Sequence, residues 1–251
     1  FGVAKLLLDG YGASMECESE TGWSALRSAA AYGHTEILNY LLGRGADIKV
    51  RNNVGWTCLH SAADEGHTSA VQALLDHGAN PEDTAYQGWT ALTLAADKGH
   101  HDTVELLLER GVDVEQSSET GWTALVCAAD GRHLYACKVL LGHGANLMAT
   151  THAGWTPSIR AAHSGGLRLL NLFLQVHGLD MDHLDNCGRS PFFHAAMRGH
   201  VGIIKKLLPM TQMANHRDRY GTTPIFAAAR NGHRRVVELL IEAGLANFEE
   251  R

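Results

Sequence analysis

The 251 residues carry a formal net charge of −6, with 45% apolar and 19% charged side chains, a composition ordinary for a folded soluble chain. A pI of about 6.2 argues against a basic nucleic-acid footprint, and no run is long and apolar enough to span a bilayer. The five cysteines, Cys17, Cys58, Cys127, Cys137 and Cys187, are odd in number and contain no CxxC pair. They read as small buried thiols of a reducing compartment, so an intracellular, cytoplasmic location is expected.

The chain begins in mid-pattern. Val3, Leu6, Leu7 and Leu8 fit the second helix of a unit whose first helix is missing, and Gly12-Ala13 stands 33 residues before Gly45-Ala46. The chain is therefore expected to be an excerpt from a longer protein, with residues 1–19 a partial unit. Next come Gly22-Trp23, Gly55-Trp56, Gly88-Trp89, Gly121-Trp122 and Gly154-Trp155, and the phase continues at Gly188-Arg189 and Gly221-Thr222. Successive glycines lie 33, 33, 33, 33, 34 and 33 residues apart, and the five pairs hold all five tryptophans. A fixed period of this length signals stacked supersecondary units, each burying its apolar face against its neighbours. The units run 20–53, 54–86, 87–119, 120–152, 153–186, 187–219 and 220–251, as one array over 1–251.

The unit 54–86 shows what each contains. Gly55 makes a tight turn, and Thr57 can cap a helix N-terminus. Leu59, Ala62 and Ala63 form the apolar face of that short helix, and Gly66 ends it. Val71, Leu74 and Leu75 mark a second helix at three-to-four-residue spacing, closed by Gly78. Asn80 and Pro81 then open an extended finger. Unit five departs from this pattern with Ser158 in the core Leu column and Gly165-Gly166. Unit six departs with Pro209, and with Thr211 in place of the closing glycine. These two units are expected to be the softest joint.

The recurring G-x-T-x-L, A-A-x-x-G-H and L-L-x-x-G-A-D/N pattern resembles the ankyrin repeat over nearly the whole chain. Thr57-Cys58-Leu59-His60 is the closest approach to the family's T-P-L-H opening. The resemblance implies an all-α repeat solenoid of helix-turn-helix units joined by β-hairpin-like fingers, with a concave groove that binds a protein or peptide. It places Trp23, Trp56, Trp89, Trp122 and Trp155 at the finger bases on the concave side. There they either contact ligand or pack across neighbouring fingers. Tyr32, Asp64, Glu65, Asp97, Lys98, Asp130, Arg198 and Arg230 occupy variable groove positions, with Tyr86 on the rim. The groove is thus aromatic and acidic in its first half and basic in its last. Residues 1–125 hold 18 acidic and 7 basic side chains, a formal −11, and residues 126–251 hold 9 and 14, a formal +5.

Sixteen histidines invite a metal hypothesis. His34, His67, His100, His133, His200 and His233 are phased with the repeat, however, and the resemblance has them open the second helix and bond backbone groups of the adjoining loop. His77, His143 and His177 sit before closing glycines, where the helix dipole favours them. Repeats stack ~10 Å apart, too far for equivalent histidines to share an ion. No metal and no cofactor are expected. Neither a nucleophile elbow nor a phosphate-cradling glycine loop is present, so the segment is read as non-catalytic. Non-catalytic protein recognition is the leading function, with neither nucleic acid nor membrane as partner. The alternative is a structural spacer or a segment that self-associates through the array ends. Similar arrays occur in NACHT-type receptors and in proteins with a nucleoside-phosphorylase-like head, where any catalysis would lie outside this segment.

Overall fold

The computed structural model describes residues 15, 19–20, 22–176 and 179–245. Most of the partial unit, with Val3, Leu6 to Leu8 and Gly12-Ala13, lies outside them, as do Cys17 and His177. Fourteen α-helices are found among the described residues. Their contacts divide the chain into two compact units: unit 1 comprises 1–124 and 138–144, and unit 2 comprises 125–137 and 145–251.

Unit 1 holds α1 (Ala25–Ala31), α2 (Thr35–Gly43), α3 (Cys58–Asp64), α4 (Thr68–Asp76), α5 (Ala91–Lys98) and α6 (His101–Glu109). The border between the units runs through α7 (Ala124–Asp130) and α8 (Leu134–Gly142). Unit 2 continues with α9 (Pro157–Ser164), α10 (Leu167–Phe173), α11 (Pro191–Arg198), α12 (Val201–Leu207), α13 (Pro224–Arg230) and α14 (Arg234–Glu242). Helices of seven to nine residues are too short to persist alone, so packing must hold them. In unit 1 the first helices stack as α1, α3, α5 and the second helices as α2, α4, α6. Unit 2 repeats this with α9, α11, α13 and α10, α12, α14.

The residues explain the repetition. Each first helix in these stacks starts at a Ser or Thr whose hydroxyl accepts the N–H three residues on: Ser24, Thr57, Thr90, Thr156, Ser190 and Thr223. Pro157, Pro191 and Pro224 follow their caps at the first helical position, where no N–H is needed. Ala62-Ala63, Ala95-Ala96, Ala161-Ala162 and Ala195-Ala196 are fully buried, and only such small side chains let the first helices approach closely. Leu38, Leu41, Val71, Leu74, Val104 and Leu107 fill the layer between the helices of unit 1.

The fingers carry little β-structure. One isolated antiparallel bridge, Ser117 to Thr123, is found among the described residues. Elsewhere in the fingers the tip is closed by a turn, as where Asn52 N–H donates to the Trp56 carbonyl at 3.0 Å and Gly55 N–H to the Asn52 carbonyl at 2.8 Å. Neighbouring tips are tied through backbone bonds from Tyr86 N–H to Val54 O and from Glu119 N–H to Gln87 O.

Of two sequence irregularities, local chemistry resolves one and leaves the other unsatisfied. Lacking a closing glycine at Thr211, unit 2 uses the Asp182 carboxylate, which accepts the Thr211 hydroxyl and the Gln212 N–H. Ser158, in the Leu column, is fully buried, and its hydroxyl finds no hydrogen-bond partner.

Candidate functional site

A side chain four residues before the tryptophan position fixes the finger base everywhere but at Trp89, where Ala85 stands. Ser19, Asn52, Ser118 and Thr151 accept the N–H of Trp23, Trp56, Trp122 and Trp155 at 2.8 to 3.2 Å. Asp185 and Asp218 do the same for Arg189 and Thr222 at 2.9 Å. The preceding repeat orients the base from the other side. Arg27, fully buried, donates its Nη2 to the Trp56 carbonyl. His60 reaches the Trp89 carbonyl at 3.2 Å through Nε2, while its Nδ1 faces Thr57 Oγ1 at 2.8 Å. The Thr57 N–H also donates to Nδ1, so the proton sits on Nε2. Burial lowers the His60 pKa to about 4, against smaller opposing effects of the Trp89 carbonyl and Asp83.

The tryptophans are set by this frame and left partly open. Trp23 is 39% exposed, and Trp56, Trp89, Trp122 and Trp155 are half-buried. Beyond the bases, α3 and α5 end in charge. Asp64, Asp97 and Lys98 converge, with Lys98 Nζ at 3.9 Å from Asp64 and 3.6 Å from Asp97. Burial raises the Asp64 pKa; Lys98 opposes this, and the charges of Glu65 and Asp97 add to it. Tyr32 stacks near His34 with centroids 6.2 Å apart, and both Tyr32 and the rim residue Tyr86 are over two-thirds exposed.

In unit 2 the expected positions are more tightly engaged. Asp130 already holds Arg160 at 2.5 Å, and the Arg160 guanidinium lies 4.6 Å over the Trp155 ring. Trp155 contacts His163 and His194 at centroid distances of 5.0 and 4.6 Å. Arg189, which replaces tryptophan, pairs with buried Asp218 at 2.9 Å and lies against the rings of Phe193 and Tyr220. Arg198 and Arg230 are exposed at the ends of α11 and α13. No ion pair holds either one among the described residues.

The phased histidines differ from expectation in what they bond. His100, His200 and His233 do precede the second helices, but each Nε2 reaches back to the first helix of the preceding repeat. The acceptors are the carbonyls of Asp64, His163 and Met197, at 2.9 to 3.0 Å. Among the described residues no group of three or more His, Cys, Asp or Glu side chains forms a metal cluster, and no helix is long and apolar enough to cross a membrane. Sequence reasoning missed Arg27, His194 and the acceptor column of the fingers. The column has a detectable signal, because positions 19, 52, 118, 151, 185 and 218 all carry Ser, Asn, Thr or Asp in phase.

The family model described as ankyrin repeats, in three copies, matches residues 1–85, 77–151 and 158–250. No curated protein matches the chain.

Proposed function

Because this chain belongs to the ankyrin-repeat family, a family of protein-interaction modules, we propose that unit 1 recognises a protein or peptide segment bearing basic and apolar groups. One observation carries the reading: a rigid backbone frame holds Trp56 and Trp122 at finger bases and leaves the indoles half-open. Trp89 sits in the same register, its carbonyl fixed by His60. Tryptophan supplies large rigid contact area and dominates many interface hot spots. Asp64, Glu65 and Asp97 at the adjoining helix ends complement cationic side chains, and Lys98 tempers that field. Trp23, Tyr32 and Tyr86 extend the same surface. In unit 2, Asp130, Trp155, Arg198 and Arg230 occupy the corresponding positions.

Affinity capture from cell lysate with the wild-type chain and with Trp56/Trp89/Trp122→Ala tests it, after circular dichroism shows both folded. A protein retained only by the wild type supports the reading. Each true hot-spot indole should contribute ~2 kcal/mol or more. Equal capture of every protein by both chains overturns it.

A further inference from the structure

Unit 2 contains a hydrogen-bonded relay that the reading of unit 1 does not use. The Asp185 carboxylate, nearly fully buried, lies 2.9 Å from His194 Nε2, itself buried. His194 Nδ1 lies 3.3 Å from His163 Nδ1. The carboxylate also accepts the N–H groups of Arg189 and Cys187. Burial alone would raise the Asp185 pKa, but the His194 bond and these N–H groups together hold it below the usual range. An ionised Asp185 fixes the proton of His194 on Nε2, so Nδ1 presents a lone pair. The network then assigns the proton of His163 to Nδ1, donating to His194. What remains is His163 Nε2, which makes no hydrogen bond among the described residues.

Arg198 and Arg160 act on the charge of His163 from one side and Asp130 from the other. Arg160, on α9, is held by Asp130 at the end of α7 and lies over Trp155. From α11 come His194 and exposed Arg198, and His200 Nε2 donates to the His163 carbonyl. Burial lowers the His163 pKa to about 4, helped by His194, Arg198 and Arg160 and opposed by Asp130. Protonating Nε2 breaks none of the bonds of the relay. It only adds charge beside Arg198 and Arg160, a cost that an incoming anion removes. Position in the last turn of α11 accounts for Arg198 alone, and not for an imidazole whose open edge is oriented by two buried partners.

We propose that unit 2 carries a proton-linked site for an acidic peptide segment, with one carboxylate held between His163 Nε2 and the Arg198 guanidinium. Arg230, at the end of α13 packed beside α11, receives a second carboxylate. Trp155 forms the apolar wall. Binding takes up a proton on His163, so affinity rises as pH falls below neutrality, as long as the ligand carboxylates stay ionised.

The probe is a ten-residue glutamate-rich peptide, with its glutamine counterpart as control, titrated calorimetrically into the full chain. Titrations run at pH 7.5 and 5.5, in two buffers of different ionisation enthalpy. The glutamate peptide should tighten about five-fold or more at pH 5.5 with net proton uptake. His163→Gln should abolish the tightening, and Arg198→Gln should weaken binding at both pH values. Histidine-selective nitrogen NMR of the wild type provides a readout that needs no variant: at pH 6, added peptide should shift His163 Nε2 toward its protonated position. Equal binding of the glutamine peptide, an unchanged pH response in His163→Gln, or an unmoved Nε2 signal overturns the proposal. None of these outcomes depends on the tryptophans of unit 1, so the two readings fail separately.

Discussion

Gly66 gives the most direct test of how consecutive repeats are held in register. It has φ +73°, and a Cβ built there would lie 2.4 Å from Nδ1 of His100 in the next repeat and 2.5 Å from its Cγ. Gly66→Ala therefore faces two costs. An alanine in the left-handed region is strained by about 1–2 kcal/mol. The ring must also retreat, which opens the 2.9 Å bond from His100 Nε2 to the Asp64 carbonyl, a further ~1 kcal/mol. The expected loss is about 2–3 kcal/mol, read as a lower urea midpoint at unchanged slope by circular dichroism. His100→Gly alone should cost about 1–2 kcal/mol through the lost bond and packing. The double variant removes the clash along with the ring, so it should cost at least ~1 kcal/mol less than the sum of the singles. Unit 2 contains the natural counterpart: Arg132 stands at the glycine position with φ +61°, and the histidine position 34 residues on is Gly166. Strictly additive singles, or a loss below ~0.5 kcal/mol for Gly66→Ala, would refute the reasoning.

Four further outcomes are expected. Arg132→Gly should stabilise the chain by about 1 kcal/mol, read as a higher urea midpoint, since it relieves left-handed strain at an exposed position. Ser158→Ala should stabilise the chain by about 1 kcal/mol in the same assay, because it deletes a buried hydroxyl without a partner. His60 is neutral in the fold with a pKa of about 4. Its contribution is therefore fully present above the unfolded value of about 6.5 and is lost as pH falls from there toward 4, up to ~3 kcal/mol. His60→Thr, copying the Thr93 cap of the next repeat, should flatten that part of the stability profile between pH 7.5 and 4.5. Amide exchange in repeats five and six should be faster than in repeats two to four, and equal protection would remove the soft-joint idea.

Much of the fold was legible because its determinants are local. A hydroxyl at the cap, a glycine where φ must be positive and two alanines where helices meet recur with the same identity, so the eye finds them. The finger acceptor column was missed because its chemistry recurs while its identity changes, from Ser19 to Asn52 to Asp185, and because Ala85 interrupts it. Side chains that act across repeats were harder still. Arg27 and His60 share a helix position and both reach the next Trp carbonyl, but one is a guanidinium and the other an imidazole, and nothing in their letters says so. The phased histidines were visible, yet their acceptor was not, because it is a backbone carbonyl some 36 positions earlier. Of the expected contact residues, Asp130 shows most plainly what sequence leaves out. Its position marks a variable surface, and its partner Arg160 comes from the following repeat.

These inter-repeat contacts have a consequence for how the surface evolves and functions. The His–carbonyl bond, the Gly–ring contact and the buried alanines use backbone atoms or the smallest side chains, so they constrain few other positions. Several side chains at the ends of the first helices, Glu65, Arg198 and Arg230 among them, are exposed and take no part in these contacts, whereas Asp130 and His163 are engaged by Arg160 and His194. That allows one column to carry Asp64 and Asp97 in unit 1, and His163, Met197 and Arg230 in unit 2. The Trp column is less free, because its backbone is anchored on both sides. An indole there can vary in exposure but not in position, and Arg189 keeps the same backbone bonds when it replaces tryptophan. A rigid aromatic base beside a freely varying charged column suits recognition, since affinity can come from the first and selectivity from the second. On this view exchanging the exposed Glu65, beside Asp64, for arginine should change which peptides bind and leave the folded stability of unit 1 within about 0.5 kcal/mol, as for ordinary surface substitutions.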